Sequence, residues 1–106
     1  MASSADFGKW SASKNRIQLI CDEVKMDLEQ QMNVTFDKYE AQLYHNITVE
    51  EGIIYRIWLD IGQDSYLEVT LLQQFKVVPI VGVSGKVQYE VKNEVYLILA
   101  EWVVEG

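Results

Sequence analysis

The sequence predicts an α+β fold in which one amino-terminal amphipathic helix packs across a curled antiparallel sheet of four to five strands. Two patterns predict it: apolar residues recur with helical spacing over 13–32, and after Asn33 they alternate with the two-residue period of strands. The connections between the later segments are short, which antiparallel strands allow and parallel strands do not. The helix is therefore expected to cover the apolar face of the sheet and to close a single core.

Length and composition agree with this interpretation. A chain of 106 residues with 49% hydrophobic residues is expected to form a single domain over 1–106, of which 1–12 is a flexible leader. A net charge of -7 argues against nucleic acid or an anionic membrane as partner. The sequence contains neither a secretory signal nor an apolar run of about 20 residues, so a cytoplasmic location is expected.

The helix is predicted over 13–32. Its apolar stripe consists of Ile17, Ile20, Cys21, Val24, Leu28 and Met32. Ser11 or Ser13 is expected to cap its start, and Asn33 to end it in the left-handed conformation. Cys21 is the only cysteine, so a disulfide within the chain is excluded, and its place on the stripe predicts a buried, inert thiol.

The strands are predicted from alternating apolar residues and from the turn residues between them. The apolar faces of the first three comprise Tyr39, Ala41 and Leu43, then Ile53, Tyr55, Ile57, Leu59 and Ile61, then Leu67, Val69 and Leu71. A turn is expected at 62–65. Pro79, Gly82 and Gly85 are expected to break the next stretch, and two further strands, 87–91 and 95–104, to follow it.

The last of these segments is apolar, β-prone and free of proline. Such a run would be an aggregation hazard if it were exposed. We therefore expect 95–104 to form an interior or dimer-interface strand rather than an edge; as an edge, it would be expected to pair with another chain.

Residues that could carry chemistry are few. His45 is the only histidine, and no nucleophile motif accompanies it, so a surface or strand-edge position is expected. Glu50 and Glu51 are neighbours, and adjacent strand residues point to opposite faces, so a solvated tip is expected rather than a metal site or an acid–base pair. The sequence thus predicts a protein that is not an enzyme and that uses no metal and no cofactor.

The three tryptophans are expected in different environments. Trp102 lies in the apolar run and is expected in the core. Trp58 alternates with the buried face of its strand, so it is either exposed or covers the edge of the helix. Trp10 lies in the polar leader, where two interpretations stay open: a contact residue for a partner, or local packing.

A set of residues at fixed spacing runs from the leader to the third strand. It comprises Gly8-Lys9-Trp10-Ser11, Ile17-Gln18, Ile20-Cys21-Asp22-Glu23-Val24-Lys25, Asn33, Phe36, Glu40-Ala41, Tyr44, Gly52, Tyr55, Ile57, Gly62 and Tyr66-Leu67. This set resembles the stefins, the single-domain intracellular branch of the cystatin superfamily of cysteine-protease inhibitors. The likeness covers about half of the chain, 17–72, and is weak beyond it.

The resemblance implies a cystatin-like fold and a reversible, wedge-type inhibitor of papain-like cysteine proteases such as the cathepsins. In that family, an N-terminal segment around a glycine and two hairpins line up at one end of the sheet and occlude the active-site cleft. The protease-binding residues that it implies here are Gly8, Trp10, Thr48, Val49, Glu50, Glu51, Gly52, Phe75, Val78 and Pro79.

The first hairpin departs from the family pattern Gln-Val-Val-Ala-Gly. Val49 and Gly52 keep the family's residues, but Thr48 replaces glutamine, and Glu50-Glu51 replaces Val-Ala. Burial of an unpaired carboxylate in an enzyme's cleft costs several kcal/mol. The two glutamates are therefore expected to weaken inhibition by orders of magnitude unless the target's cleft presents basic groups.

The second hairpin departs as well, because either Phe75-Lys76 or Val78-Pro79 could stand at its tip. The alternative function is consequently a non-inhibitory cystatin-fold protein, divergent or engineered, that acts as a binding or structural domain. Stefins also exchange halves by opening the first hairpin, so a domain-swapped homodimer is a further expectation.

Overall fold

The computed structural model describes residues 10–82 and 84–103. It contains two consecutive helices and an antiparallel sheet with strand order β1-β2-β3-β4-β5. The elements are β1 (Ser11–Ala12), α1 (Asn15–Glu23), α2 (Lys25–Met32), β2 (Glu40–Val49), β3 (Gly52–Asp60), β4 (Tyr66–Val81) and β5 (Val87–Trp102). The α+β class predicted from the sequence is confirmed at this level.

The predicted helix is present, but it is interrupted at Val24. The backbone there has φ -104° and ψ 4°, and the Val24 N–H donates to the Cys21 carbonyl, three residues back (3.2 Å). The helical pattern resumes when the Leu28 N–H donates to the Val24 carbonyl (2.9 Å). A β-branched residue has a lower helix propensity, and Val24 keeps its side chain buried, so the interruption leaves the apolar stripe intact.

The ends of the helical segment agree only in part with the prediction. Asn33 adopts the left-handed conformation (φ 55°, ψ 45°) and ends α2 as expected. The serine caps are wrong: Lys14 is the N-cap of α1 without a side-chain hydrogen bond, and Ser11 belongs to β1. β1 pairs with β2 in the register Ser11↔Tyr44, so the last two residues of the predicted leader are part of the sheet.

The core lies between the helices and one face of the sheet. From the helices it contains Ile17, Ile20, Cys21, Val24 and Leu28, and from β3 and β4 it contains Tyr55, Ile57, Leu59, Leu67, Val69 and Leu71. Each group shares one face, as the helical and alternating patterns predicted. Within the described residues, no helix is long and apolar enough to cross a membrane.

The two late strands predicted at 87–91 and 95–104 are wrong as separate elements, because β5 is continuous through Lys92 and Asn93. The expected break at Pro79 is also wrong, because β4 runs to Val81. Gly82 donates its N–H to the Lys86 carbonyl (3.0 Å), so by alternation the pair Pro79↔Tyr89 is a non-hydrogen-bonded pair. The proline nitrogen therefore points away from β5, and the ladder loses no hydrogen bond.

β4 and β5 extend well beyond their neighbour β3. The pairing of β3 with β4 ends at Ile53↔Gln73, whereas the pairing of β4 with β5 continues to Val81↔Val87. We call residues 74–81 and 87–94 the ribbon. β5 is the outermost strand of the described sheet, so the apolar run at its end lies on an edge, and Trp102, expected in the core, is 48% exposed.

Candidate functional site

The tip of the first hairpin is a two-residue loop. Val49 and Gly52 form the last pair of β2 and β3, and Glu50 and Glu51 lie between them as an exposed turn. The β-branched and aromatic residues on both sides favour strands, and the two glutamates together with the glycine end them. The expected solvated tip is confirmed.

Gly52 is required at this tip for two reasons. Its φ is +153°, which L residues rarely adopt. A Cβ atom at this position would also lie 2.0 Å from the carbonyl oxygen of Gln73 on β4. The close approach of the β4 backbone therefore holds the first tip against the root of the ribbon.

The first tip and Phe75, near the start of the ribbon, line a shallow hollow of ≈ 300 Å³. It is lined by Thr48, Val49, Glu50, Glu51, Gly52, Ile53 and Phe75. Six of the residues that the resemblance implied thus come together at one place. The lining of the hollow is mixed in character, with apolar side chains and two carboxylates.

The charge at this hollow is negative. None of the described residues that line it is basic. Lys76 is next in sequence to Phe75, but it belongs to the other face of β4, where its Nζ lies 2.9 Å from a carboxylate oxygen of Glu94. The hydrogen bond that Lys76 donates to Glu94, followed by the one it donates to the Tyr96 hydroxyl, raises the pKa of Lys76. The hydrogen bond from the Tyr96 hydroxyl, followed by the one from Lys76, lowers the pKa of Glu94. The tip thus offers a partner two carboxylates, with no cation among the lining residues that the structure describes.

Trp10 lies on the face of the sheet opposite the helices. Its ring centroid is 3.8 Å from that of His45 and 5.3 Å from that of Trp58. Trp58 is half-buried there, and its indole N–H donates to Glu68 (2.9 Å). The structure shows that Trp10 packs locally, and its role as a contact residue for a partner stays a prediction.

His45 is not at the surface, contrary to the expectation. It is 2% exposed, because Trp10 covers the face of β2 from which the histidine projects. The register Ser11↔Tyr44 puts Trp10 next to His45, a contact that no local pattern could have predicted. β1 also runs antiparallel to β2, so Ser11, at its amino-terminal end, lies nearer the first tip than Ala12 does; Gly8 lies outside the described residues.

The second hairpin turns at a different place from either predicted tip. Phe75, Lys76, Val78 and Pro79 all lie within β4. The turn lies between Val81 and Val87, where the Gly85 N–H donates to the Gly82 carbonyl (3.0 Å). Val78 and Pro79 are thus separated from the first tip, and only Phe75 of the second-hairpin residues reaches the hollow.

The two hairpins end at different levels. The first tip lies beside Gln73, and the ribbon continues for eight residues beyond that point, which is about 27 Å at the usual rise of a strand. The molecule is correspondingly long, with principal extents of 60 × 32 × 22 Å. The second hairpin therefore projects far beyond the first.

The ribbon was missed as a surface in the sequence. Its strands alternate, with Phe75, Val77, Pro79 and Val81 on one face of β4 and Val87, Tyr89 and Val91 on the same face of β5. This two-residue period is visible in the sequence, and it is the signal that could have identified the ribbon. The period was not followed through the ribbon, because proline and glycine were expected to interrupt the strand.

The described residues include no group of three or more His, Cys, Asp or Glu that could hold a metal ion. Cys21, the one thiol, is fully buried, and desolvation, aided by the neighbouring Asp22 carboxylate, raises its pKa to about 12. Such a thiol is protonated and inaccessible at neutral pH, so it is a core residue as predicted.

In comparisons with known proteins, the sequence matches no family model and none of the curated proteins. The resemblance to the stefins therefore stays a prediction.

Proposed function

We propose that the protein is a cystatin-like, non-enzymatic inhibitor of papain-like cysteine proteases of the cathepsin type, which it blocks reversibly by occluding the active-site cleft. The observation that carries the proposal is the hollow at the hairpin end, where Thr48 to Gly52 meet Phe75. The orientation of β1, whose amino-terminal residue Ser11 is its end nearer the first tip, supports it. A cytoplasmic location belongs to the same proposal, because the single cysteine makes no use of an oxidising compartment.

Inhibition in this proposal is a matter of shape and burial. Val49 and the backbone at Gly52 enter the cleft. The close packing of Gly52 on Gln73 within the inhibitor keeps the tip rigid. A rigid tip loses little conformational freedom on binding, which favours affinity. Because the tip offers no peptide bond positioned for attack, the enzyme is blocked and the inhibitor stays intact.

The glutamates determine which enzymes are accepted. Glu50 and Glu51 are exposed, and the described part of the chain puts no basic residue beside them in the lining of the hollow. An apolar cleft would have to bury them unpaired, at a cost of several kcal/mol. We therefore expect preference for a protease whose cleft carries Lys or Arg at the position that meets the tip.

Titration of papain with the protein, followed with a fluorogenic peptide substrate, tests the proposal. The test variant carries Glu50→Val and Glu51→Ala. It is expected to inhibit at least tenfold more tightly than the unchanged protein, since removal of even one unpaired carboxylate is worth more than about 1.4 kcal/mol. Failure of both proteins to inhibit papain and a set of cathepsins would contradict the proposal.

A matched control separates the tip from the overall charge. The variant with Glu23→Val and Asp27→Ala loses the same two charges from exposed helix positions. It is expected to inhibit like the unchanged protein. Equal strengthening by both double variants would assign the effect to long-range repulsion instead of the tip.

A second candidate function is favoured by the ribbon: a cystatin-like binding or structural domain without inhibitory activity. The ribbon projects about 27 Å past the first tip, so a single cleft cannot receive both hairpin ends at one depth. A shortened variant, without 76–81 and 87–92, removes six residues from each strand and preserves faces and register. Inhibition by the shortened variant alone would identify the ribbon as the obstacle, whereas no inhibition by any variant would favour the second candidate.

A further inference from the structure

The ribbon has one apolar face and one polar face. The apolar face continues the helix-facing side of the sheet, since Leu71 is in the core and β4 alternates without interruption from there to Val81. Its paired rows are Phe75↔Asn93, Val77↔Val91, Pro79↔Tyr89 and Val81↔Val87. The other face carries the charged side chains Lys76, Lys92, Glu90 and Glu94.

The helices do not cover this apolar face. Phe75, Val77, Val81, Val87, Tyr89 and Val91 are between 50% and 72% exposed. At the usual areas of these side chains they present about 600 Å² of apolar surface, the size of the largest patches on monomeric proteins. Two such faces in contact would remove about 1,200 Å² from water, which reaches the lower end of specific protein interfaces.

We propose that this face is covered by the same face of a second copy of the chain, in a two-fold symmetric dimer in which the two ribbons stack antiparallel. The proposed contact face shares only Phe75 with the lining of the hairpin hollow, and the proposal does not depend on protease inhibition. It is also distinct from an exchange of halves, because each copy keeps its own fold.

The order of large and small side chains fits this arrangement. A two-fold axis between the second and third rows reverses the order of rows, so that each row meets its counterpart from the other end. Phe75 then lies over the partner's Val81, and Tyr89 over the partner's Val91. Each large side chain meets a small one in both strands, as interdigitated sheets about 10 Å apart require.

The distribution of charge fits as well. The contact face has no charged residue, and its only strongly polar side chain, Asn93, is in an end row. The lysines and glutamates of the ribbon stay on the outer faces in water, so no charge is desolvated. Antiparallel stacking also keeps the helix-covered parts of the two chains at opposite ends of the dimer. This separation limits the repulsion between chains of net charge -7.

The geometry leaves room for the partner. Packed sheets and helix layers lie at a similar distance from a sheet. The partner's ribbon therefore lies in the same layer as α1 and α2, next to them and over the ribbon that the helices leave uncovered. The ribbon reaches about 27 Å beyond β3, a length over which two ribbons can overlap fully.

Light scattering coupled to size-exclusion chromatography, over a concentration series from micromolar to millimolar, tests the dimer. The unchanged protein is expected to shift from 12.2 kDa to twice that mass. Val77→Lys places a lysine at the centre of the contact face and is expected to weaken the dimer at least about a hundredfold. Ile80→Lys is the matched control, because Ile80 is on the same strand and 43% exposed but belongs to the polar face; it is expected to leave the dimer unchanged.

A charge pair tests the register. In the proposed dimer Val91 of one copy lies over Tyr89 of the other, so Val91→Lys and Tyr89→Glu are each expected to be monomeric alone and to form a heterodimer when mixed. Circular dichroism of each variant checks that the exposed positions tolerate the change. A protein that is monomeric at every concentration, or a dimer that survives Val77→Lys, as pairing along the outer edge of β5 would, overturns the proposal.

Discussion

At the scale of single residues, Gly52 determines how the first tip meets the ribbon. Replacement by Ala would force a Cβ atom to 2.0 Å from the Gln73 carbonyl oxygen at a φ of +153°. We expect Gly52→Ala to lower the free energy of unfolding by about 3 kcal/mol or more, because overpacking and an unfavourable φ add. Urea denaturation followed by circular dichroism measures it.

The matched control for Gly52 is Gly62→Ala. Gly62 also has a positive φ, +90°, but a Cβ atom there would lie 3.6 Å from the nearest atom, an ordinary contact. Gly62→Ala should therefore lower the free energy of unfolding only by the cost of an unfavourable φ, about 1–3 kcal/mol. Equal losses for both variants would show that the contact with Gln73 is unimportant.

Cys21 predicts how stability depends on alkaline pH. Burial raises the pKa of the folded thiol from 9.0 to about 12, so above pH 9 the unfolded chain releases this proton while the folded chain retains it. The unfolded state then binds fewer protons, and stability, constant below pH 9, falls between pH 9 and 12 by up to about 1.4 kcal/mol per pH unit. Urea midpoints at about pH 8 and about pH 10 measure the decline.

In the variant Cys21→Ala, the decline in stability between pH 9 and about pH 10 should largely disappear, although the variant is less stable overall. Tyr39 contributes at higher pH, because desolvation raises its pKa as well. A decline that is unchanged in Cys21→Ala would assign it to other groups.

At the scale of elements, Gln18 joins α1 to the start of β2. Its Nε2 donates to the Tyr39 carbonyl (3.0 Å), and its Oε1 accepts the Ala41 N–H (2.8 Å). Gln18→Met keeps the size of the side chain but leaves both backbone groups without these bonds. We expect a loss of about 1–3 kcal/mol, measured by thermal or urea unfolding.

The control for Gln18 is Gln30→Met, at an exposed position of α2. It should change stability by less than about 0.5 kcal/mol. A similar effect of both substitutions would mean that the bonds to Tyr39 and Ala41 are replaced by water without cost.

The elements also show which parts of the fold a sequence can reveal. The stripe of α1 and α2 and the alternation of β3 were predicted correctly, because burial of one face imposes a fixed period. The continuation of β4 through Pro79 was not, because a proline is tolerated where its nitrogen points away from the neighbouring strand. That condition depends on register, which a single sequence does not give.

The site was predicted to a similar extent. Thr48 to Gly52 were placed correctly at a tip, since turn chemistry is local. Trp10, His45 and the position of the second turn depend on the pairing of distant segments, so local patterns could not locate them.

At the scale of the whole molecule, the ribbon controls the shape. The radius of gyration is 16.5 Å, whereas a compact chain of this length has about 13 Å. We expect small-angle X-ray scattering at low concentration to give the larger value. The variant without 76–81 and 87–92 should approach the compact value.

A compact value for the unshortened protein at low concentration would show that the ribbon folds back onto the body. Urea unfolding of the shortened variant provides the control for its folding. Its stability should be close to that of the unshortened protein, since the deleted side chains are mostly exposed and contribute little to the core.

Pro79 affects the tendency of the protein to form fibrils at high concentration. Its nitrogen, directed away from β5, lies on the side of β4 that β3 leaves unpaired beyond Gln73. A third strand added there would meet a position without a donor, so extension of the sheet on that side of β4 into cross-β structure is disfavoured. Pro79→Val would restore the donor, and thioflavin fluorescence should then rise under conditions in which the parent chain stays clear.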